Sequence, residues 1–527
     1  MRAFALLAAA LLLAACPWPL PSARPPSADG PAALPACALA WADLPAHARA
    51  PQPGDYDGYY RSVQRDMCKK PWTVLLYMAA DNQDLPLHAY WNLRDLETAA
   101  GAASSDHHDI IVHLDLPGPS GLRRLHIFND PGAPAPTATE LAGAAPDLLR
   151  SPVVAFDPDE STPPADTLRE FVTWAARAYP SERLMVILWG HGQGWRPALI
   201  EPPEALRYRP GGFVGGIAFD HGEGTVLDIP SLHSALAALP RPVDVLAADA
   251  CLMQTVEVGL ELQSVARYLV GYPQIAPYPG LPYSLLLPAF TAPALGASAC
   301  PPLDDACQLA ERIPAIYGRA VDAGHYALRA PDDAIERTYV ISVVATQPLG
   351  ERLAPALHDL GAALDAWRLA DPLRAIDLQA LLAPGGLPGF LGGTRDLGVF
   401  AAGLRHLLAR ERSRAPADPP SPASVQLGAA LDRLDAALLA TVLARSLGDS
   451  YRSDPPTQAS PYRAASLASP SGCRATKASC APSSRATRAP RSSPAPGPPP
   501  SPPLGSAGCS ASTRRRPSSA LAHGSAQ

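Results

Sequence analysis

Two short segments of the sequence carry residues that could do nucleophilic chemistry. In LMVILWGHGQGW, an apolar run from Leu184 to Trp189 ends at a glycine-flanked histidine, His191. In VDVLAADACLMQTVEV, a second apolar run ends at Asp249 and is followed by Cys251. A thiol and an imidazole that meet in space form a nucleophile and its acid–base partner. His191 and Cys251 are therefore the candidate catalytic residues.

The surroundings of both residues favour this chemistry. Glycines beside His191 allow a sharp backbone turn and leave the imidazole free of neighbouring side chains. A helix is predicted to start directly after Cys251, and the partial positive charge at a helix N-terminus favours a thiolate. The backbone N–H groups of Gly192 and Cys251 could supply an oxyanion hole. Asp249 could cap that helix, because aspartate is a preferred N-cap residue.

The rest of the chain must supply elements that position these residues. Short apolar runs bounded by turn residues predict buried strands, and the amphipathic stretches between them predict helices. Their alternation predicts an α/β sandwich with a mainly parallel sheet, whose reactive groups lie beyond the carboxyl ends of the strands. The predicted strands are Thr73–Ala79, Ile110–Leu116, Leu184–Trp189, Val243–Ala247 and Tyr339–Val344; the predicted helices are Asp84–Ala100, Asp166–Ala178, Ile229–Ala238, Met253–Val265, Leu349–Trp367 and Leu427–Ser446.

Residues of about 71 to 450 resemble the clostripain (C11) family of caspase-like cysteine peptidases. The stretches that carry the resemblance are WTVLLYMAADNQDL, LMVILWGHGQGW and VDVLAADACLMQTVEVGLEL, with weaker echoes in YVISVVATQPLGERLA and RDLGVFAAGLRHLL. A histidine upstream of an Ala-Cys nucleophile also parallels the caspase order. The resemblance implies a caspase-like α/β/α sandwich and a His191–Cys251 dyad that acts through a thioester. It also implies Gly192 beside the oxyanion hole and Asp249 in the wall of the S1 pocket.

Substrate preference is where the chain departs from the family. The resemblance implies cleavage of proteins or peptides after basic P1 residues. Members with that preference tend to carry a second acidic residue in a loop resembling PGDGW. This chain has Pro277-Tyr278-Pro279-Gly280-Leu281 there, without a carboxylate. A desolvated cation needs a charge partner, so the expected basic preference depends on Asp249 alone.

The resemblance also implies activation by a cut between His191 and Cys251. The joining segment RPALIEPPEALRYRPGGFVGG contains prolines, glycines and arginines without helical or strand periodicity. Such a segment is predicted to be an exposed loop, where proteolysis concentrates. Arg207 and Arg209 are the candidate autocleavage sites.

Several other conspicuous residues are given structural interpretations. Asp81 and Asn82 match the family pattern and are interpreted as turn formers, and Trp189 and Trp195 as packing residues. No CxxC or HExxH spacing occurs, so neither a metal site nor another cofactor is predicted. Calcium dependence is implied by the resemblance only, and no calcium loop can be recognised. Two disulfide pairings are open, namely Cys300 with Cys307 and Cys37 with Cys68.

The N-terminus predicts export and a lipid anchor. Arg2 is followed by the apolar run 4–13, which is too short to span a bilayer but suits a signal peptide. Leu13-Ala14-Ala15-Cys16 then matches a bacterial lipobox. Lipidated Cys16 would hold the protein in the cell envelope, at the outer membrane or facing the periplasm. The alternative is an ordinary signal peptide with an unrelated cysteine.

Composition separates a globular body from extended flanks. The chain of 527 residues has 63 prolines, about 12% against a usual 5%. From about residue 463 onward it contains no acidic or aromatic residue, which predicts a disordered tail or a shifted reading frame. The predicted division is a signal peptide over 1–15, a Pro/Ala-rich spacer over 16–70, a caspase-like catalytic domain over 71–345, a smaller helical C-terminal subdomain over 346–450, and a low-complexity tail over 451–527.

The net charge and the absence of certain motifs narrow the possible functions. The body carries a net charge of roughly −15, which offers no basic face for nucleic acid. A lipase-type hydrolase with GHGQG as its oxyanion loop would need a GxSxG nucleophile elbow, which the sequence lacks. A non-catalytic binding lipoprotein on the same scaffold stays open, although the intact His191 and Cys251 count against it.

Overall fold

The computed structural model describes residues 69–448, apart from 83, 106, 118–120, 131–148, 152, 158–161, 196–214, 221, 292–297, 299, 327–338, 384–385 and 388–394. The predicted signal peptide, Cys16, the predicted spacer as far as residue 68, the tail, both candidate autocleavage arginines and the Cys37–Cys68 pairing lie outside the described residues. The predictions made for them therefore stay predictions.

The described part of the chain is built on a nine-stranded sheet in the order β11-β10-β9-β8-β5-β1-β2-β3-β4. The five strands from β9 to β2 are parallel, and antiparallel strands β10 and β3 flank them. The strands are β1 (Lys70–Ala79), β2 (His108–Asp115), β3 (Leu122–His126), β4 (Val153–Asp157), β5 (Ser181–Trp189), β8 (Val243–Asp249), β9 (Ala266–Gly271), β10 (Val340–Ala345) and β11 (Val442–Leu447); a separate hairpin pairs β6 (Gly216–Asp220) with β7 (Thr225–Asp228).

Helices connect the strands and cover the sheet, which confirms the predicted α/β class. Strands covered on both faces should be continuously apolar, and β1 is buried along almost its whole length. The helices are α1 (Pro86–Thr98), α2 (Pro164–Ala178), α3 (Ile229–Leu236), α4 (Val256–Leu262), α5 (Tyr283–Leu286), α6 (Asp305–Asp322), α7 (Thr346–Pro348), α8 (Ala354–Leu369), α9 (Pro372–Leu382), α10 (Leu397–Arg414) and α11 (Pro422–Thr441).

The last helices have an apolar core of their own. Leu360, Trp367, Leu404 and Leu431 are buried together in it, apart from the core under the sheet. One prediction here is wrong at its end. The helix expected over Leu427–Ser446 stops at Thr441, and the next six residues form β11 against β10. Among the described helices, none is both long and apolar enough to cross a bilayer.

Five strands and one disulfide follow the sequence predictions closely. All five predicted strands are present, each within three residues of its expected ends. The Cys300–Cys307 pairing, one of the two left open, is present. The carboxyl ends of β1, β5 and β8 lie side by side, because these strands are adjacent and parallel. The segments that leave these three ends are therefore brought together.

Candidate active site

The pairing register of β5 and β8 brings the two candidate catalytic residues together. Trp189 pairs with Asp249 at the ends of these strands. His191 and Cys251 each follow two residues later, so they leave the sheet at the same level. The N–H of Gly190 donates to the carbonyl of Asp249 across this edge, at 3.3 Å. The His191 side chain keeps 32% of its surface exposed, so the site is open to a substrate.

Gly192 packs directly on the backbone of Cys251. A Cβ at position 192 would overlap the carbonyl oxygen of Cys251 and would lie 2.9 Å from Cβ of Ala250. On its other side Gly192 faces Ile217 of β6 in an antiparallel bridge. The bonds of that bridge run from Gln193 N to Gly216 O and from Ala218 N to His191 O. Gly192 is thus a non-hydrogen-bonded position, and its own N–H is directed away from the hairpin.

Cys251 lies in a turn rather than at a helix N-terminus. Helix α4 begins at Val256 with Thr255 as its N-cap, so the predicted helix directly after Cys251 is wrong. The chain instead continues alongside the segment that follows β9, with Leu252 N bonded to Gln274 O at 2.9 Å and Gln254 N to Tyr272 O at 3.1 Å. The sequence pattern failed here because MQTVEV is apolar enough for a helix, whereas backbone pairing holds its first residues extended.

The expected lowering of the Cys251 pKa is also wrong. Burial raises the pKa of the thiol, an effect that the N–H of Ala276 partly offsets by donating to Sγ at 3.2 Å. The nearby Asp249 carboxylate raises the thiol pKa further. Cys251 is thus a neutral thiol at rest, and a base must remove its proton when it attacks.

Asp249 is buried beneath the loop that follows β9. Its Oδ2 accepts hydrogen bonds from Leu281 N at 2.8 Å and from the Tyr283 hydroxyl at 2.6 Å. Among the described residues, no donor lies within normal hydrogen-bond geometry of Oδ1, although the buried Tyr272 hydroxyl is close to the carboxylate. Burial raises the pKa of Asp249 to about 6, although the donor groups of Tyr283, Leu281 and Tyr272 lower it. The alternative that Asp249 caps the following helix is wrong, because Thr255 has that role.

The sequence interpretation missed a carboxylate at the site, Asp84. It follows β1, and its Oδ1 lies 3.0 Å from Nε2 of His191. Its Oδ2 accepts a hydrogen bond from the Tyr278 hydroxyl at 3.0 Å. The hydrogen bond from His191 is the main cause that lowers the pKa of Asp84 to about 2. Its position after a predicted central strand was the available signal, since the carboxyl ends of adjacent parallel strands meet.

Backbone strain is concentrated at this edge of the sheet. Among the described residues, Ala218 and Leu252 are the two non-glycine residues with positive φ, at 57° and 63°. Ala218 is bonded to the carbonyl of His191, and Leu252 directly follows Cys251. Strained backbone costs of order 1–3 kcal/mol per residue and clusters at functional sites. The strain therefore supports this edge as the functional site.

The remaining interpreted residues have mostly structural roles. Asn82 is a turn former as predicted, because its Oδ1 accepts from Leu85 N at 2.8 Å. Asp81 lies near Asp220 and Glu223, and burial together with these two charges raises its pKa to about 6. Trp189 is buried as a packing residue should be, whereas Trp195 leaves 40% of its surface exposed. Within the described ranges, no cluster of three metal-ligating side chains is found.

Comparison with known proteins gives a family for part of the chain. The model of the clostripain family, Peptidase C11, matches residues 76–326, a span that includes His191, Cys251 and Asp84. This segment is a clostripain-family cysteine peptidase domain. A search of curated proteins returned no match.

Solved structures similar to the chain include other C11 proteases. A secreted C11 cysteine protease from Bacteroides thetaiotaomicron, in complex with an irreversible peptide inhibitor, is 25% identical with a TM-score of 0.39, over 55% of this chain and 70% of that one. An inactive zymogen C11 protease from Parabacteroides distasonis is 16% identical with a TM-score of 0.45, over 72% of this chain and 84% of that one.

The packing of Gly192 gives a prediction for the clostripain domain. Gly192→Ala should lower kcat/KM by about 100-fold or more, because the added Cβ pushes apart the two segments that form the proposed oxyanion hole. Gly361→Ala on helix α8 is the control, since no atom lies within 4 Å of a Cβ there. Peptidase assays with matched unfolding curves test this. Equal activity of both variants would contradict the close approach at Gly192.

Proposed function

We propose that this clostripain domain is an endopeptidase in which Cys251 attacks the peptide carbonyl and His191 transfers the proton, with a preference for basic P1 residues. The observation that supports the proposal is the register of β5 and β8. It places His191 and Cys251 each two residues beyond the paired ends of these strands. Two groups that act together must lie within reach of one substrate bond.

The neutral thiol determines how the first step runs. As the S–C bond forms, the thiol proton moves to His191, and the carbonyl oxygen becomes an oxyanion. The resulting imidazolium gives that proton to the leaving amine as the C–N bond breaks, which leaves a thioester on Cys251. Water then attacks the thioester, with His191 first taking and then returning a proton, and the acid product leaves.

Backbone N–H groups would stabilise the oxyanion. Gly192 and Cys251 are in contact, and the N–H of Gly192 is directed away from the hairpin that it faces. Two amides close to the attacked carbonyl stabilise the developing charge without reorganising during the reaction. This arrangement supports the role proposed for both N–H groups.

The preference for a basic P1 residue rests on Asp249. No cation among the described residues acts on this buried carboxylate, so a basic P1 side chain would supply its charge partner. The loop that follows β9 provides no second carboxylate, because Tyr278 occupies the corresponding region. A single buried charge therefore carries the proposed P1 selectivity.

Two further parts of the proposal concern residues outside the described ranges. We propose that a lipid on Cys16 anchors the mature enzyme in the bacterial cell envelope, and that cleavage after Arg207 or Arg209 activates it. The flanks of the cleavage segment support the second idea, since His191 lies on one side of it and β6, which pairs beside Gly192, lies on the other.

The dyad makes the most direct prediction. Cys251→Ala and His191→Ala should each abolish peptide hydrolysis while the fold is retained, and the double variant should be no worse than either single one, because the two groups act as a unit. Peptidase assays and circular dichroism measure this. If Cys251→Ala is nearly as active as the unmodified protein, the proposed role of Cys251 is refuted.

Asp249 predicts a pH-dependent P1 preference. The ratio of kcat/KM for an Arg-P1 peptide to that for a Gln-P1 peptide should fall as the pH drops through about 6, because protonation removes the charge of Asp249 near its pKa. Asp249→Asn should reduce the ratio on the order of 100-fold at neutral pH. If the ratio changes neither with pH nor in Asp249→Asn, the proposed role of Asp249 is refuted.

Self-activation predicts a two-chain product. Incubated active protein should yield a new N-terminus after Arg207 or Arg209, and Cys251→Ala should stay uncut. Protein sequencing of the fragments measures this. If Arg207→Ala/Arg209→Ala matures and works like the unmodified enzyme, activation occurs elsewhere or is not needed.

The anchor is tested separately in cells. Cys16→Ser should release soluble protein or leave an unprocessed precursor. Membrane-bound Cys16→Ser protein with a correctly removed signal peptide would refute lipidation at this residue.

A further inference from the structure

Three separate segments of the chain meet at the carboxylate of Asp84. His191 follows β5, Tyr278 belongs to the loop after β9, and Asp84 itself follows β1. Oδ1 bonds to the imidazole and Oδ2 to the phenol, each at 3.0 Å. The Asp84 carboxylate thus connects His191, the candidate base, to the loop after β9 that contains Tyr278.

The position of Asp84 is fixed by its own turn. The side-chain oxygen of Asn82 accepts hydrogen bonds from the backbone N–H of Asp84 at 3.4 Å and of Leu85 at 2.8 Å. Helix α1 starts directly afterwards at Pro86. A carboxylate on such a pinned turn can hold an imidazole in one orientation, because a hydrogen bond to one ring nitrogen sets the role of the other.

The loop over residues 274–283 contacts three residues of the site. Its Ala276 N–H bonds to Sγ of Cys251, and its Leu281 N–H bonds to Asp249. Between these two contacts, Tyr278 reaches Asp84 and stacks on His88 of α1, with ring centroids 5.3 Å apart. Nearly half of Tyr278 is exposed. The same loop therefore contacts Cys251, Asp249 and Asp84.

We propose that Asp84 is the positioning residue for His191, and that Tyr278 holds Asp84 in place so that the 274–283 loop controls the orientation of the base. This deepens the proposed peptidase function and rests on it. Asp84 keeps Nε2 of His191 as the protonated nitrogen, which makes Nδ1 the atom that takes the Cys251 proton. Asp84 itself stays ionised throughout.

The test of Asp84 compares two carboxylates at the start of helices. Asp84→Asn should lower kcat/KM about 10- to 100-fold, because the acceptor of the hydrogen bond from His191 loses its negative charge. Asp166→Asn, in the exposed first turn of α2 and paired with Arg169, should leave kcat/KM unchanged. If Asp84→Asn behaves like Asp166→Asn, the proposal is wrong.

A second readout separates positioning from a purely structural role. Iodoacetamide reacts with Cys251 without any substrate, and its rate against pH reports how His191 assists the thiol. In Asp84→Asn the acid limb of this profile should move, because His191 loses the charged carboxylate that lies 3.0 Å from its Nε2. An unmoved limb with reduced kcat/KM would mean that Asp84 only supports the fold locally.

The role of Tyr278 is tested by a double-mutant cycle. Tyr278→Phe keeps the stack on His88 but removes the hydroxyl, and should lower kcat/KM about 2- to 10-fold. In the Asp84→Asn background the same change should cost nothing more, because Tyr278 acts through Asp84. Fully additive losses would show that Tyr278 acts independently.

The two proposals can fail separately. If the unmodified protein cleaves peptides and Asp84→Asn is equally active, only the positioning role of Asp84 is refuted. If the unmodified protein cleaves no peptide but the alkylation profile moves in Asp84→Asn, the positioning role is supported and the peptidase function is refuted.

Discussion

The in-register parallel pairing of β5 with β8 is the constraint on which the rest of the site depends. It aligns Trp189 with Asp249, so His191 and Cys251 emerge at one level from adjacent strands. A slip of one residue would turn the apolar side chains of a strand to the opposite face. Because both strands are buried on both faces, their packing fixes the register, and the register fixes the dyad.

Around this pairing, short segments hold the backbone of the site through hydrogen bonds and close packing. The β6–β7 hairpin bonds to the backbone on both sides of Gly192, and the segment after β9 bonds to the backbone on both sides of Met253. Gly192 and Gly280 stand where a side chain would collide with Cys251 or Asp249. The strained backbone at Ala218 and Leu252 is held by these same contacts. The backbone geometry of the site is thus set by close packing and by hydrogen bonds between backbone groups.

Charges at the site differ in how they are stabilised. Asp84 is hydrogen-bonded to His191, which lowers its pKa to about 2, whereas burial raises the pKa of Asp249 to about 6. Burial likewise keeps Cys251 protonated. The resting site therefore holds one permanent anion next to the base, together with a thiol and a second carboxyl whose charge depends on conditions or on a bound cation.

The sequence predicted the α/β class, five strands and the segments that carry His191 and Cys251, because apolar runs and strand ends are local patterns. It did not predict β11 or the extended segment after Cys251. Both depend on backbone pairing with distant segments, which overrides the helical pattern at the end of Leu427–Ser446 and at the start of MQTVEV. The contact between Asp84 and Tyr278 was missed because these residues lie 194 positions apart and meet only in the folded chain.

Covalent labelling of the active site tests the central claim most directly. The full-length protein, treated with a thiol-directed electrophile that carries an arginyl group, should be modified at Cys251 and lose peptidase activity in proportion. His191→Ala should slow this labelling strongly. Folded, active protein that keeps an unmodified Cys251 after such treatment, or that loses activity through modification elsewhere, would contradict the account.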